Sequence, residues 1–274
     1  MTSTEEPAVS GRPRHRPLVA ILSGAGISAD SGIPDYRGRA QRWGRPRAEP
    51  GGGLWRRDPD AEKLVTYDVY MADPEIRRRS WRMRQESPAF RARPNAAHEA
   101  VAALARSGTP VRVITQNVDG LHQLAGLPER KVLELHGTAR AVTCTRCHAR
   151  SSMEEALERV AAGDPDPACL VCGGILKSAT VMFGERLDPQ VLGTALGVAK
   201  AAEVFVAVGT TLQVQPAASL AGVAAEHGAQ LIIVNAQPTP YDAPPATAGR
   251  CPQAAEVIRE PIGTALPRLL ERFG

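Results

Sequence analysis

Ser23-Gly24-Ala25-Gly26-Ile27-Ser28-Ala29-Asp30-Ser31-Gly32-Ile33-Pro34-Asp35-Tyr36-Arg37 is the stretch on which the reading of this chain turns. It follows Leu18-Val19-Ala20-Ile21-Leu22, an apolar, partly β-branched run of the length of one buried strand. Gly24, Gly26 and Ala29 fit the pattern G-x-G-x-x-[G/A]. In that pattern the first glycine permits the tight turn, the second lets backbone approach a pyrophosphate, and the third small residue lets helix pack on strand. A helix starting here would present free N–H groups to phosphate. Read alone, such a turn serves strand–helix packing as readily as it serves a nucleotide. The dehydrogenase version also wants an acid about 20 residues further on, at the end of a second strand. Asp35 comes too soon, and Ile33-Pro34 argues against regular structure in between. Asp35, Tyr36 and Arg37 therefore read as a loop folded back over the same ligand, in a nucleotide site without hydride-transfer architecture.

The 274 residues are enough for one large domain or two modest ones, and a 43% hydrophobic content can bury a sizeable core. The formal charge of +4 is mild, and only Lys63, Lys131, Lys177 and Lys200 are lysines. Arginine clusters at residues 37–47 and 77–84 read as solvated faces and a phosphate-facing loop, which makes direct nucleic-acid contact the weaker reading. No run of 18 apolar residues offers a membrane span. Residues 1–17 lack the apolar core of a signal peptide and read as a frayed tail, so a cytoplasmic location with reduced cysteines is expected.

Residues 38–58, with Gly51-Gly52-Gly53, read as a long loop placed to act as a lid over the ligand. Residues 59–87 read as helices, with Asp73-Pro74-Glu75 giving an N-cap, a first-turn proline and a first-turn acid. A further helix is expected over residues 95–106, capped by Asn95 and ended by Gly108. Strands are expected at residues 111–115, 132–135, 204–208 and 231–234, with a short one near Val257-Ile258; helices are expected at residues 216–227 and 262–272. This alternation predicts a parallel, doubly wound sheet. Polar or glycine clusters sit at the carboxyl end of nearly every strand, the edge where open α/β sheets bind ligands. Gly24, Gln116, Asn117, Asp119, His136, Thr210 and Asn235 are thereby expected to converge on one crevice.

Cys144-Thr145-Arg146-Cys147 and Cys169-Leu170-Val171-Cys172 form two C-x-x-C knuckles at the spacing of a four-cysteine zinc ribbon. Four thiolates close the coordination shell, so the zinc is expected to be structural. Cys251 is left over as an ordinary cysteine. The fold expected is α/β: a Rossmann-like parallel sheet with a smaller inserted module made of the zinc ribbon and helices. The tail covers residues 1–16, the Rossmann-like domain residues 17–38, 93–138 and 183–274, and the small module residues 39–92 and 139–182. The cleft between them is the natural place for a substrate.

The glycine stretch through Arg37, then Thr115-Gln116-Asn117-Val118-Asp119-Gly120-Leu121-His122, His136-Gly137, the two cysteine knuckles, Phe183-Gly184-Glu185, Gly209-Thr210-Thr211 and Asn235 occur in one order. That ordered set resembles the bacterial-type sirtuins, NAD-dependent protein lysine deacylases, over nearly the whole chain from Leu18 to Arg272. The resemblance implies that Gly24, Ala25 and Gly26 bind the NAD pyrophosphate, and that Asp35, Tyr36 and Arg37 cover the nicotinamide ribose. It puts Gln116 and Asn117 on the ribose and Ile33 and Asp119 around the nicotinamide amide. Gly209, Thr210, Thr211, Asn235 and Ile262 fall on the adenosine side. It implies that Val181, Met182, Phe183, Gly184 and Glu185, with Gln213 and Val214, flank an extended acyl-lysine peptide.

The chemistry fits these residue types. The acyl-lysine oxygen attacks the ribose carbon as nicotinamide leaves, so no serine or cysteine nucleophile is required. What is required is a base at the ribose hydroxyls, and His136, at a strand end, is that candidate. His136, Asn117 and Asp119 are the expected catalytic residues, and the products are lysine, nicotinamide and O-acyl-ADP-ribose. Deacetylation is the leading activity. In sirtuins active on acidic acyl groups a Tyr-x-x-Arg pair precedes the Pro-Asn segment; here helix register puts Trp81 and Arg84 there. Arg84 could hold a carboxylate and Trp81 could offer an indole N–H, or Trp81 could be core packing. Desuccinylation and mono-ADP-ribosyl transfer are thus alternatives, and a protein that binds NAD only as a signal is the alternative from another class. Lys177-Ser178-Ala179-Thr180 departs from the basic-Pro segment common before the substrate strand, and Tyr36 replaces a common phenylalanine.

Overall fold

The chain is described from a computed structural model, over residues 15–33, 60–242 and 252–274. The first half of the chain contains β1 (Val19–Ser23), α1 (Tyr67–Ala72), α2 (Pro74–Glu86), α3 (Ala96–Arg106), β2 (Val111–Thr115), α4 (Leu121–Leu124) and β3 (Val132–Glu134). There follow β4 (Gly137–Cys144), β5 (Arg150–Ser152), α5 (Met153–Ala161), β6 (Leu176–Thr180), α6 (Pro189–Ala201) and β7 (Val204–Val208). The last part holds α7 (Ser219–Glu226), β8 (Gln230–Val234), β9 (Glu256–Ile258) and α8 (Ile262–Leu270).

The apolar run before the glycines becomes β1, near the middle of a six-stranded sheet of order β3-β2-β1-β7-β8-β9. Every pairing in it is parallel. All five residues of β1 and of β7 are buried, as strands covered on both faces must be. Alternation along the strands divides the core into two layers. Val19, Ile21, Val113, Val206 and Ile232 pack with Val101 and Leu104 of α3 and Leu266 and Leu269 of α8. Ala20, Leu22, Ile114, Phe205 and Ile233 face the other way, against Ala195 and Ala199 of α6 and Leu220 and Ala224 of α7. The doubly wound sheet expected from the sequence is therefore present.

A second, three-stranded antiparallel sheet, β5-β4-β6, carries the cysteine knuckles. Helix α5 starts at Ser152 with a reciprocal capping box to Glu155 and packs Met153 and Ala156 under the sheet. Helix α2 begins as its sequence implies: Asp73 accepts the Glu75 N–H at 2.8 Å and Pro74 stands in the first turn. Asn95 caps α3 in a capping box with His98, and its amide also donates to Ile27 O at 2.8 Å and Ser31 Oγ at 2.9 Å.

Several local expectations are corrected. The segment after Gly24 is a 3-10 helix, Ala25–Ser31, closed by Gly32 at φ 86°, and no α-helix starts there. Its N-terminus has no side-chain cap, and the Asn95 bonds hold its far end instead. The helix expected from residue 216 begins at Ser219, and the strand expected over residues 132–135 ends at Glu134. Within the expected tail, His15 meets Glu203 at 2.6 Å and Arg16 donates to the Ser107 carbonyl, so these two residues are held against the sheet domain. The long loop at residues 38–58 and Cys251 lie outside the described residues.

Glycines set how closely the sheet's loops approach. Gly209, just past β7, adopts φ 64°, and a Cβ there would overlap the Ile27 amide nitrogen. Gly209→Ala combines overpacking with left-handed strain and is expected to cost at least about 3 kcal/mol. Thermal denaturation should show a drop of roughly 6–12 °C; an unchanged melting temperature would contradict the close approach.

Candidate active site and metal centre

The crevice at the carboxyl ends of the strands is stitched by backbone first. Gly24 N–H donates to Val208 O at 3.0 Å and Gly26 N–H to Gly209 O at 2.9 Å. These bonds require glycines. A Cβ on Gly24 would stand 2.7 Å from Gly209 O, and one on Gly26 would stand 2.7 Å from Gly209 Cα. The result is a tight backbone junction at the strand ends, the kind of glycine turn that lets a pyrophosphate approach.

The end of β2 then adds its polar residues. Gln116 N–H donates to Ser23 O at 2.9 Å, and its side chain reaches the Thr210 hydroxyl at 3.0 Å. The Asn117 amide bridges to Gly24 O at 3.1 Å and Ser28 Oγ at 3.2 Å. Ser28 donates to Asp119 Oδ2 at 2.8 Å, while Asp119 Oδ1 caps the Leu121 N–H at 2.9 Å. Gly24, Gly26, Gln116, Asn117, Asp119 and Thr210 are thus brought together. Ile33 is half-buried, with its N–H on Ser28 O at 3.4 Å. Asn235 ends β8, bonded to Ile258 O at 3.2 Å, and half-buried Ile262 opens α8. Ala25 and Thr211 are half-buried in the two loops. Asp35, Tyr36 and Arg37 lie outside the described residues.

His136 follows β3, and its Nδ1 lies 2.8 Å from Gln116 O. A carbonyl can only accept, so Nδ1 carries a proton, and in the neutral ring the lone pair is the one on Nε2. The ring is thereby held in the tautomer a base needs. Its own carbonyl accepts the Val181 N–H at 2.8 Å, which ties it to the segment that follows β6.

Two residues escaped the sequence reading here. Ser28 links Asn117 to Asp119; its place between Gly26 and Ala29 was the available signal. Arg140 donates from Nε to Asp119 O at 2.9 Å and lies over Gly120, where a Cβ would stand 2.9 Å from the guanidinium. Nothing local in the sequence pairs those two positions.

His98 and His122 have the plain structural role expected of isolated histidines. Their rings meet edge to face, centroids 5.0 Å apart, beneath the glycine turn. Ser23 donates to Thr115 Oγ1 at 2.8 Å, so at 2.9 Å it accepts from His122 Nε2. His98 Nδ1 accepts the Asn95 N–H at 3.4 Å. The atoms left over, His98 Nε2 and His122 Nδ1, are a donor and an acceptor, both buried without a partner among the described residues. Burial holds both rings neutral, lowering His98 to about 4 and His122 to about 3.

The four knuckle cysteines come together with all their sulfurs within 4.8 Å of one another. Cys144 and Cys172 are 3.5 Å apart and Cys147 and Cys169 3.7 Å apart. A tetrahedral zinc with Zn–S bonds of about 2.3 Å needs sulfurs about 3.8 Å apart, so the set fits the ion. The backbone N–H of Cys147, helped by that of Arg146, lowers the Cys144 thiol, while the crowded sulfurs of Cys172, Cys144 and Cys169 push Cys147 up, so four thiolates together call for a cation among them. No water position remains in a four-thiolate shell, so the site suits structure and not catalysis.

Of the residues expected at the substrate, Met182 is buried, Phe183 is half-exposed, and Gly184, Gln213 and Val214 are exposed beside half-buried Val181 and Glu185. Trp81 is 1% exposed and packs with Val142, Cys144, Met153 and Cys169. It takes the packing role, and its buried indole N–H presents nothing to an acyl carboxylate. Arg84 is also buried, 6.0 Å over the indole, and donates to the Ser80 carbonyl and hydroxyl.

The Sir2 family model matches residues 24–216. The NAD-dependent protein deacetylase 2 of Streptomyces coelicolor is 65% identical over 94% of this chain and 99% of its own length. The NAD-dependent protein deacylase of Aeropyrum pernix is 41% identical over 82% of this chain and 83% of its own. A solved structure of Sir2 with a p53 peptide and NAD+ superposes with a TM-score of 0.74, at 31% identity, covering 93% of this chain and 92% of that one. One bound to a propionylated peptide gives 0.74 at 30% identity, with the same coverage. The chain belongs to the Sir2, or sirtuin, family.

Two outcomes test the buried groups. Each histidine is near 6.5 when unfolded and well below that when folded. The unfolded chain therefore binds more protons below about pH 6.5, and stability should fall as pH falls from there toward 4. His122→Gln removes one such group, so its denaturant-derived stability should vary less with pH over that window; an equally steep dependence would refute the neutral buried ring. For the metal, elemental analysis should find one zinc per chain. Cys169→Ala should lose it and melt at lower temperature, whereas full stability without zinc would rule out a structural ion.

Proposed function

We propose that the crevice removes acyl groups, acetyl foremost, from lysines of proteins, with His136 as the general base. The observation that carries this reading is the bond from His136 Nδ1 to Gln116 O, which puts the lone pair of the neutral ring on Nε2, in a side chain anchored to a residue expected to hold a ribose. NAD, consumed as cosubstrate, supplies the nicotinamide leaving group and the ADP-ribose acceptor, and one water completes the exchange, so the products are lysine, nicotinamide and O-acyl-ADP-ribose. Gly24, Ala25 and Gly26 line the pyrophosphate site, where the absence of bulky side chains lets it approach, and Thr210, Asn235 and Ile262 border the adenosine. Gln116 and Asn117 orient the ribose. Asp119, held from both sides by Ser28 and the Leu121 N–H, and Ile33 bind the nicotinamide amide. Residues 181–185 and Gln213-Val214 form the two walls of the peptide site. His136 Nε2 takes a ribose hydroxyl proton as that oxygen attacks, and returns a proton as lysine departs.

The burial of Trp81 favours small neutral acyl groups over succinyl. No described helix is long and apolar enough to cross a membrane, and four free thiols placed for zinc suit the reducing cytoplasm.

The test is a panel of acetyl-, succinyl- and long-chain-acyl-lysine peptides with NAD, read by mass spectrometry. Acetyl-lysine should turn over, with His136→Ala slower by about 10²–10⁴-fold, the range for general-base removal. ADP-ribosylated protein formed without deacylated lysine would overturn the reading in favour of ADP-ribosyl transfer.

A further inference from the structure

Lys177 is one of the chain's few lysines, and it is 7% exposed. A buried ammonium is costly unless its donors are matched. Here all three are matched: Nζ meets Glu185 Oε2 at 2.8 Å, Thr180 O at 2.8 Å and Ser178 O at 3.3 Å. These carbonyls belong to β6, the edge strand of the small sheet. Ala179 O is turned onto Gly137 of β4, where it blocks any side chain at that position. By alternation Ser178 O and Thr180 O face the open edge, and the lysine caps them.

Glu185 works from the other end. The same Oε2 that takes the ammonium also accepts the Met182 N–H at 2.8 Å, while Glu185 N–H returns to Met182 O at 3.0 Å. Gly184 turns between them at φ 91°. Phe183 is fixed on its other side: its N–H donates to Val65 O and its carbonyl accepts the Tyr67 N–H, both at 2.9 Å. Val181 N–H is taken by His136 O. Gly184 N–H has no partner among the described residues and is left for an incoming strand. With these backbone bonds, the ion pair is the side-chain tie that fixes the free edge relative to His136.

We infer that Lys177 is a positioning and specificity-determining residue for the peptide: it holds residues 181–185 in register for strand pairing and cancels the charge of Glu185, so that flanking charges on the peptide are read weakly. The inference rests on the proposed function, because it takes residues 181–185 as the peptide wall. A merely structural pair would lower stability and leave peptide recognition alone.

The experiment compares wild type, Lys177→Met, Glu185→Gln and the double variant, each checked for zinc content and folded structure. Turnover and fluorescence-anisotropy binding are measured on acetyl-lysine peptides with neutral, basic or acidic flanks. Lys177→Met should raise KM and Kd for the neutral peptide by roughly fivefold or more, with KM for NAD changed less than about twofold. It should also favour basic over acidic flanks by about threefold or more, since Glu185 is then unpaired. The double variant, which leaves no unpaired charge, should recover part of the loss. If Lys177→Met does not fold, Glu185→Gln carries the same test of peptide against NAD. Unchanged peptide Kd and KM in the folded variants, whatever their melting temperature, would overturn the assignment. Wild-type binding without turnover would sink the deacylase reading while anisotropy still judges the clamp; absence of both would end both.

Discussion

Everything at the crevice depends on the distance of closest approach between the end of β1 and the loop after β7. Two backbone bonds, Gly24 to Val208 and Gly26 to Gly209, hold that distance. They can form because three glycines meet where any Cβ would collide with backbone. The Gly24 carbonyl in the loop after β1 can then accept from the Asn117 side-chain amide, and the loop after β7 can present Thr210 to Gln116. One steric condition thus brings together the ends of three separate strands and the side chains that follow two of them. The parallel register makes this effective, since Ser23, Thr115 and Val208 lie in line across the sheet.

Beneath that junction most polar atoms are paired, although His98 Nε2 and His122 Nδ1 are buried without a partner among the described residues. Ser23, Thr115 and His122 form a buried chain in which each hydroxyl has a defined direction, ending where the Asn117 N–H donates to Thr115 Oγ1 at 3.1 Å. The neutral histidines keep this layer free of charge. A charge there would have to be desolvated against the apolar core, whereas a neutral ring needs only its hydrogen bonds. The rigidity of Gln116 and Asn117, and through Gln116 O the tautomer of His136, follows from the layer below them.

The sheet was legible because its strands are short apolar runs that each end in a polar or glycine cluster, and that pattern survives without knowledge of the partners. The cysteine knuckles were legible for a similar reason: ligand spacing is local. What was not legible depends on what lies across from a residue. Helix register puts Trp81 and Arg84 on one face, but which neighbour that face meets is a tertiary fact, and it proved to be the zinc module's core. The glycine pattern announces a helix after Gly24 but does not say that it is a 3-10 helix, since so few residues do not separate the two types. Strands β4 and β6 were missed because Gly137–Cys144 and Leu176–Thr180 carry Thr, Ser, Lys and Arg where an apolar alternation would announce a strand.

Those missed strands explain why a metal far from any chemistry belongs to this architecture. Cys144 closes β4 and pairs with Leu176 at the start of β6, so the knuckles fix the register of both strands. Strand β6 then runs from the metal centre directly into residues 181–185, with Lys177 at its second position. On the other side Trp81 packs against Cys144 and Cys169, and the Tyr70 hydroxyl donates to Leu176 O at 2.7 Å, which docks α1 and α2 onto the same strand. The Val65 and Tyr67 contacts to Phe183 come from the segment leading into α1. Both sides of residues 181–185, the proposed peptide wall, are therefore referred back to the four sulfurs. A small module with few buried apolar groups is hard to hold by packing alone. Metal–thiolate bonds at the four cysteines would supply the rigidity that such a core lacks, and residues 181–185 would inherit it.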